Sequence, residues 1–230
     1  MSGLLIVMEG IDGSGKATHS SALSHWLMDQ GLRTSSFSFP GYGKTPFSDA
    51  ILQYLHGDFG PIDRIPVKLI SLLFACDRMS ARDELLKAME VVDVVICDRY
   101  VASNLAHQGA KAQQDDLESL IAWILEVEYQ TFKMPRPDLT VLIDTPVREA
   151  RHRITSRANR QHTSVQEDYH EKDTPYLERC SAIYRQLAHE STGGQWLTVG
   201  ATAAPVSTVQ HEIRAGVSQL LLSARRTTSL

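Results

Sequence analysis

The stretch LLIVMEGIDGSGKATHSSAL at residues 4–23 restricts the fold more than any other. An apolar β-branched run, a glycine-rich loop and an amphipathic segment follow one another without a gap. LLIVME lacks the apolar/polar alternation of a half-exposed strand, so it reads as a parallel strand buried on both faces. HSSALSHWLMDQG then sets Ala22, Leu23, Trp26 and Leu27 on one helical face, with Gly31 as the stop. The loop between them fits the phosphate-binding pattern at Gly10, Gly15 and Lys16.

Between a strand and a helix that pattern has a physical purpose. Gly10, Gly13 and Gly15 let backbone N–H groups converge on phosphate oxygens, and the helix N-terminus adds partial positive charge. Lys16 can reach the outer phosphates, and Asp12 and Ser14 lie in the same loop. Ala17 departs from the pattern, which asks for Ser or Thr as a Mg²⁺ ligand. Thr18 comes one position late, about 100° further around the helix.

The remaining chain repeats the alternation. RTSSFSF (33–39), VVDVVICD (91–98), LTVLID (139–144) and QWLTV (195–199) read as strands. A helix is expected from Thr45 to Leu55, closing at Gly57, and a single long apolar helix from Pro66 through VKLISLLFACDRMSARDELLKAME. Further helices are expected over 113–132, from Pro146, over TPYLERCSAIYRQLAHE, and from Thr208 to Ala224. With no repeat or low-complexity linker, residues 1–230 read as one α/β domain with a five-stranded parallel sheet flanked by helices. Ligands of such sheets bind beyond the carboxyl ends of the strands.

At one such end, CDRY offers Asp98 to hold a Mg²⁺-bound water and Arg99 to clamp a phosphate with two parallel hydrogen bonds. The bland alternative is a cap on the next helix. Asp144 and Thr145, standing before Pro146 where a cap is expected, read as structural. Phe74 and Arg78 are four apart and share a helical face; an arginine there is costly unless it meets a ligand or a carboxylate. Arg151, Arg153, Arg157 and Arg160 crowd a polar stretch. By composition that is a solvated face; in a glycine-loop kinase it is a mobile lid, over about residues 154–170, that meets transition-state charge.

The formal charge of −4 argues against duplex nucleic acid as a partner. No apolar run approaches the roughly 18 residues of a membrane span, and the first residues do not read as a signal peptide. Three cysteines without metal-ligand spacing suit reduced thiols and a cytoplasmic location.

Taken together, MEGIDGSGK, FPGYGKTPFSDAILQYLHG, LLFACDR, CDRYVASNLAHQGAK, RPDLTVLIDTPVREARHR and EDYHEKDTPYLERCSAIY resemble the thymidylate kinase family. The resemblance implies a P-loop kinase fold with an arginine-rich lid, ATP as phosphoryl donor, Mg²⁺ as cofactor, dTMP as acceptor and a homodimer. It implies that Phe74 stacks on thymine, that Arg78 bonds the carbonyl edge, and that Ser103 and Gln108 contact the base. Arg99 would grip the acceptor phosphate near Phe39 and Pro40, with Asp12 by the sugar 3′-hydroxyl or the metal waters. Lys16, with Ala17 and Thr18 beside it, would hold donor phosphates; Arg153 would lie near the donor nucleotide, and Arg157 and Arg160 would be the lid arginines. Where the family commonly has an arginine after Phe-Pro, this chain has Gly41, Tyr42 and Gly43, leaving Lys44 as a point charge. Two other readings stay open: a kinase of another acceptor, including a nucleoside kinase with Glu9 as base, and a nucleotide-binding module without turnover, suggested by Ala17.

Overall fold

A computed structural model of the chain describes residues 3–61, 64–161, 173–200 and 204–227; the side chains of residues 114, 157–161 and 225–227 are outside the description. Strands β1 (Leu4–Glu9), β2 (Thr34–Ser38), β3 (Val94–Asp98), β4 (Leu139–Ile143) and β5 (Trp196–Val199) form one parallel sheet in the order β2-β3-β1-β4-β5. The five expected strands are thus present.

The apolar runs lack alternation because the sheet is covered on both sides. Leu5, Val7, Val95 and Cys97 face one core, shared with Leu105, Leu177 and Tyr184. Ile6, Met8, Val94 and Ile96 face the other, against Leu23 and Leu27 on one side and Ile213 and Val217 on the other. Chain order reverses at β1, whose neighbours are β3 and β4, so a crevice opens beyond its carboxyl end. Met8 is in register with Asp98, which brings the glycine loop and the Asp98–Arg99 turn to the same level.

The helices are α1 (Lys16–Asp29), α2 (Pro46–His56), α3 (Val67–Ser80), α4 (Arg82–Val91), α5 (Val101–Gly109), α6 (Leu117–Leu125), α7 (Val147–Gln161), α8 (Thr174–His189) and α9 (Val206–Thr227). Thr45 caps α2 by accepting the Ser48 N–H at 3.0 Å, and Gly57 ends it in the left-handed conformation. The single helix expected from Pro66 is in fact two. Ser80 Oγ bonds back to the Cys76 carbonyl at 2.9 Å, a contact that bends helices, and Ala81 breaks the run. The break lets α3 carry Phe74 and Arg78 to the crevice while α4 drives Leu85 into the core. The 113–132 segment likewise divides: α6 gives way to a wide π-helical turn, Glu126–Thr131, that buries Glu128.

Ile96 lies fully buried on β3 between β1 and β2. Ile96→Ala should lower the unfolding free energy by about 2–5 kcal/mol in urea titration. A loss below about 0.5 kcal/mol, the range of surface substitutions, would contradict this placement.

Candidate functional site

The glycine loop is shaped by what presses on it. Gly10 adopts φ 143°, and a Cβ there would stand 2.7 Å from the Ile143 carbonyl; at Gly13, φ 78°, it would stand 2.3 Å from that of Ala150. Neither position can take a side chain without displacing backbone. Lys16, the first residue of α1, folds back and donates from Nζ to the carbonyls of Gly10 and Ile11, both at 2.9 Å. Burial, reinforced by the positive charge of Arg99, lowers its pKa to about 8, against the pull of Asp12, Asp98 and Glu9. Five charged groups therefore share one electrostatic neighbourhood at the sheet edge.

Glu9 is the hub of that neighbourhood. It has no exposed surface and accepts from Tyr100 N at 2.8 Å, Ser103 N at 3.0 Å, Ser103 Oγ at 2.6 Å and the Tyr184 hydroxyl at 3.0 Å. The two N–H groups belong to the cap residue and the first turn of α5, where an anion satisfies donors left without helical partners. Just before them Arg99 takes φ 67°, uncommon for a side chain of its size, and donates its own N–H to the Met8 carbonyl at 2.9 Å. Its guanidinium pairs with Asp12 and donates from Nη1 to Ser103 Oγ at 3.2 Å, with His107 Nε2 3.3 Å away. Burial opposes its charge, yet Asp12 and the neighbouring acidic groups raise its pKa overall.

Arg99 opens onto a cleft of about 620 Å³. Asp12, Phe39, Pro40, Phe74, Arg78, Ser103 and Gln108 line it too, so the structure brings together every expected acceptor-site residue except Lys44. Lys44 is exposed and its stem lies against Gly41 outside the lining. Another cation, Lys111, lines the cleft, bonded to the Tyr54 hydroxyl at 2.6 Å and Gln108 Oε1 at 3.2 Å. Asp77 fixes the loop bearing Phe39 and Pro40, accepting from Gly41 N at 2.9 Å and Thr45 Oγ1 at 3.0 Å.

Arg78 meets the carboxylate that its burial demands: Nε donates to both oxygens of Glu128 at 3.1 Å, and Nη2 pairs with the same group. Asn104, also in the lining, was missed in the sequence reading. Its Nδ2 donates to Ser71 O at 2.9 Å and Glu128 Oε1 at 3.1 Å, while its buried Oδ1 has no partner among the described residues. The signal was its place beside Ser103 in a helix start at a strand end. Ser103 itself is engaged with Glu9.

At the glycine loop Arg153 donates from α7 to the Ser14 carbonyl at 3.3 Å, and among the described residues Ser14 Oγ and His19 Nδ1 are buried without partners. Burial, with Arg153 nearby, lowers the pKa of His19. Asp144 is held by Arg185 from α8, Nε to Oδ2 at 2.8 Å, and Thr145 Oγ1 donates to the Ser14 carbonyl at 3.3 Å, so both are engaged away from the helix cap that the sequence suggested. Asp98 ends β3 partly exposed, its carboxylate accepting no hydrogen bond from the described residues. Among the described residues no group of three His, Cys, Asp or Glu side chains is arranged to hold a metal ion. The side chains of Arg157 and Arg160, and residues 162–170 of the expected lid, lie outside the described residues.

Comparison with known proteins bears on the family and the fold. A family profile described as Thymidylate kinase matches residues 8–213. The chain is 35% identical over 202 residues to the thymidylate kinase of Mycobacterium tuberculosis, covering 88% of this chain and 94% of the relative. It is 37% identical over 161 residues to a probable thymidylate kinase of Pyrococcus abyssi, covering 69% of this chain and 73% of the relative. Among solved structures, a thymidylate kinase from Candida albicans superposes with a TM-score of 0.71 at 20% identity, over 95% of this chain and 92% of that one, a likeness of fold.

Lys16 carries a testable pH signature. Its folded pKa of about 8 lies below the ordinary 10.5, so its burial as a cation opposes folding below about pH 8, and the penalty fades as pH rises toward 10.5. Without nucleotide, Lys16→Met should be more stable than wild type at pH 7, and the difference should shrink above about pH 8 in paired denaturant titrations. A less stable variant, or a difference independent of pH, would contradict the buried lysine.

Proposed function

The chain belongs to the thymidylate kinase family, and we propose that its cleft takes dTMP while the glycine loop takes MgATP, the two phosphate ends meeting between Lys16 and Arg99. The reaction is transfer of the γ-phosphoryl group of ATP to dTMP, giving dTDP and ADP, with Mg²⁺ as cofactor. The observation that carries the assignment of residues is the Glu9 hub, which ties the start of the glycine loop to the Arg99 turn. Transfer of this kind needs alignment and charge rather than a covalent intermediate.

In this reading Lys16 exchanges its two loop carbonyls for donor phosphate oxygens, and phosphate contact restores its full charge. Gly10, Gly13, Ser14 and Gly15 supply backbone N–H groups, and Arg153 approaches the donor nucleotide. Arg99 turns from Asp12 to the acceptor phosphate, leaving Asp12 near the sugar hydroxyl. Asp98, with its carboxylate available, suits a Mg²⁺ ion held through water, because Mg²⁺ keeps several waters and takes one or two carboxylates plus substrate phosphates. Ala17 is compatible with that shell. When bound, the ion neutralises charge developing on the transferred group.

Phe74 offers a stacking face for thymine. Beside it, Arg78 Nη1 has no hydrogen bond to the described residues and can donate to a ring carbonyl, while Asn104 Oδ1 can accept the ring N3–H. Ser103 supports the site through Glu9 and Arg99, and Gln108 through Lys111. Residues 154–170 act as a lid within a single domain, bringing Arg157 and Arg160 over the transferred group; Arg153, one turn earlier on α7, already contacts the loop.

The nucleoside-kinase alternative loses its base, since Glu9 accepts four hydrogen bonds inside the core. A binding module without turnover has little use for Lys16, Asp98 and Arg99 together. Leu69, Leu72, Cys76 and Met79 recur on one face of α3, with Leu69 57% and Met79 38% exposed, which suits a homodimer packed through that helix. No helix among the described residues is long and apolar enough to cross a membrane, and the three free cysteines suit the cytoplasm.

Arg99→Ala should lower kcat/KM for dTMP about 100-fold or more, with KM for ATP little changed, in a coupled assay of ADP release. Lys44→Ala, outside the cleft, should change kcat/KM less than about threefold. The reverse ranking would contradict the assignment.

A further inference from the structure

The base end of the cleft depends on a group that does not touch the ligand. Glu128 comes from the π-helical turn after α6 and is fully buried, yet one of its oxygens serves two residues of the lining. Oε1 accepts both from Arg78 and from Asn104 Nδ2. Each bond removes an orientational freedom.

Arg78 has two of its nitrogens, Nε and Nη2, committed to Glu128, so Nη1 is the donor left for the cleft. Asn104 faces two acceptors, the Ser71 carbonyl and the Glu128 carboxylate, on one side of its amide. An amide turned the other way would set its oxygen against both. The NH₂ group is therefore held inward, and Oδ1 is the acceptor left without a partner. A carboxylate without a proton cannot donate, so only one amide orientation is compatible with it.

We propose that Glu128 is a positioning residue that fixes the polarity of base recognition: a donor from Arg78 beside an acceptor from Asn104. Such a pair matches a ring carbonyl next to a ring N–H, as in thymine. It opposes cytosine, which presents an amino donor next to an unprotonated ring nitrogen, so that donor faces donor and acceptor faces acceptor. An unmatched buried polar group is costly, and discrimination of this kind can be large. The inference rests on the base-pocket reading above and adds that its selectivity is set by a residue outside contact with the base.

The test compares dTMP with dCMP as acceptors in the full-length enzyme. Glu128→Gln places an amide where the carboxylate was; its NH₂ can donate to a turned Asn104, which leaves the Ser71 carbonyl as the one remaining acceptor that opposes the turned orientation. The dTMP:dCMP ratio of kcat/KM should fall about tenfold or more, mainly through KM for the monophosphate, while KM for ATP stays within about twofold. Glu128→Asp, which keeps an acceptor-only group, should retain more of the preference than Glu128→Gln. Unchanged selectivity in soluble Glu128→Gln would overturn the proposal. If Glu128→Gln does not fold because Arg78 loses its counter-charge, Arg78→Gln and Arg78→Gln/Glu128→Gln decide the matter, since the double variant carries no buried charge at this pair. The double variant should then be the less selective by about tenfold, and equal selectivity would refute the role of Glu128. A wild type that turns over dCMP as well as dTMP would instead overturn the base-pocket reading itself, and with it the premise.

Discussion

A single buried carboxylate, that of Glu9, holds the functional end of the sheet together. It is the last residue of β1, immediately before the glycine loop, and it receives the first N–H groups of α5 after β3 and the Tyr184 hydroxyl from α8. A carboxylate without exposed surface is expensive unless donors surround it, and here four do. The distance between the glycine loop and Arg99, proposed to take donor and acceptor phosphate, is therefore set by hydrogen bonds. The left-handed turn at Arg99 is held from both sides, by its own N–H on Met8 and by the anchored start of α5.

From that anchor the cleft grows outward along α3. Asp77 and Arg78 are neighbours in sequence and nearly inaccessible, yet they serve different parts: Asp77 fastens the Gly41–Thr45 loop, and Arg78 turns inward to Glu128. The break at Ala81 separates this segment from α4, which sends Leu85 into the core. Magnesium fits the same logic. Among the described residues no cluster of three metal-ligating side chains stands ready, so the proposed ion site would rest on phosphates, water and the Asp98 carboxylate, a shell compatible with Ala17 after Lys16.

Much of this was legible because strand ends are where parallel sheets keep their chemistry. The glycine loop, Asp98–Arg99 and the Phe74/Arg78 pair could be read from apolar runs, turn residues and helical spacing. What was not legible depended on the partners of buried polar groups. Glu9 looked like a candidate base, since nothing local says that an acidic residue after a strand will receive N–H groups from a helix some ninety positions later. Lys44 looked like a phosphate ligand because of its place after Phe-Pro, but its loop turns it outward. Glu128 carried no signal, sitting in an irregular turn inside an apparently regular amphipathic run, and the signal at Asn104, its place at a helix start after a strand, was overshadowed by a serine that seemed the better hydrogen-bonding group.

The central claim is that donor and acceptor sites are two halves of one cavity joined at Lys16 and Arg99. An adenosine–thymidine conjugate bridged by a chain of phosphates tests it in one titration against ATP and dTMP. The account predicts one conjugate per chain, bound more tightly than either nucleotide and competing with both. A conjugate that displaces ATP but leaves dTMP bound, or the reverse, would mean that the two phosphate sites do not meet.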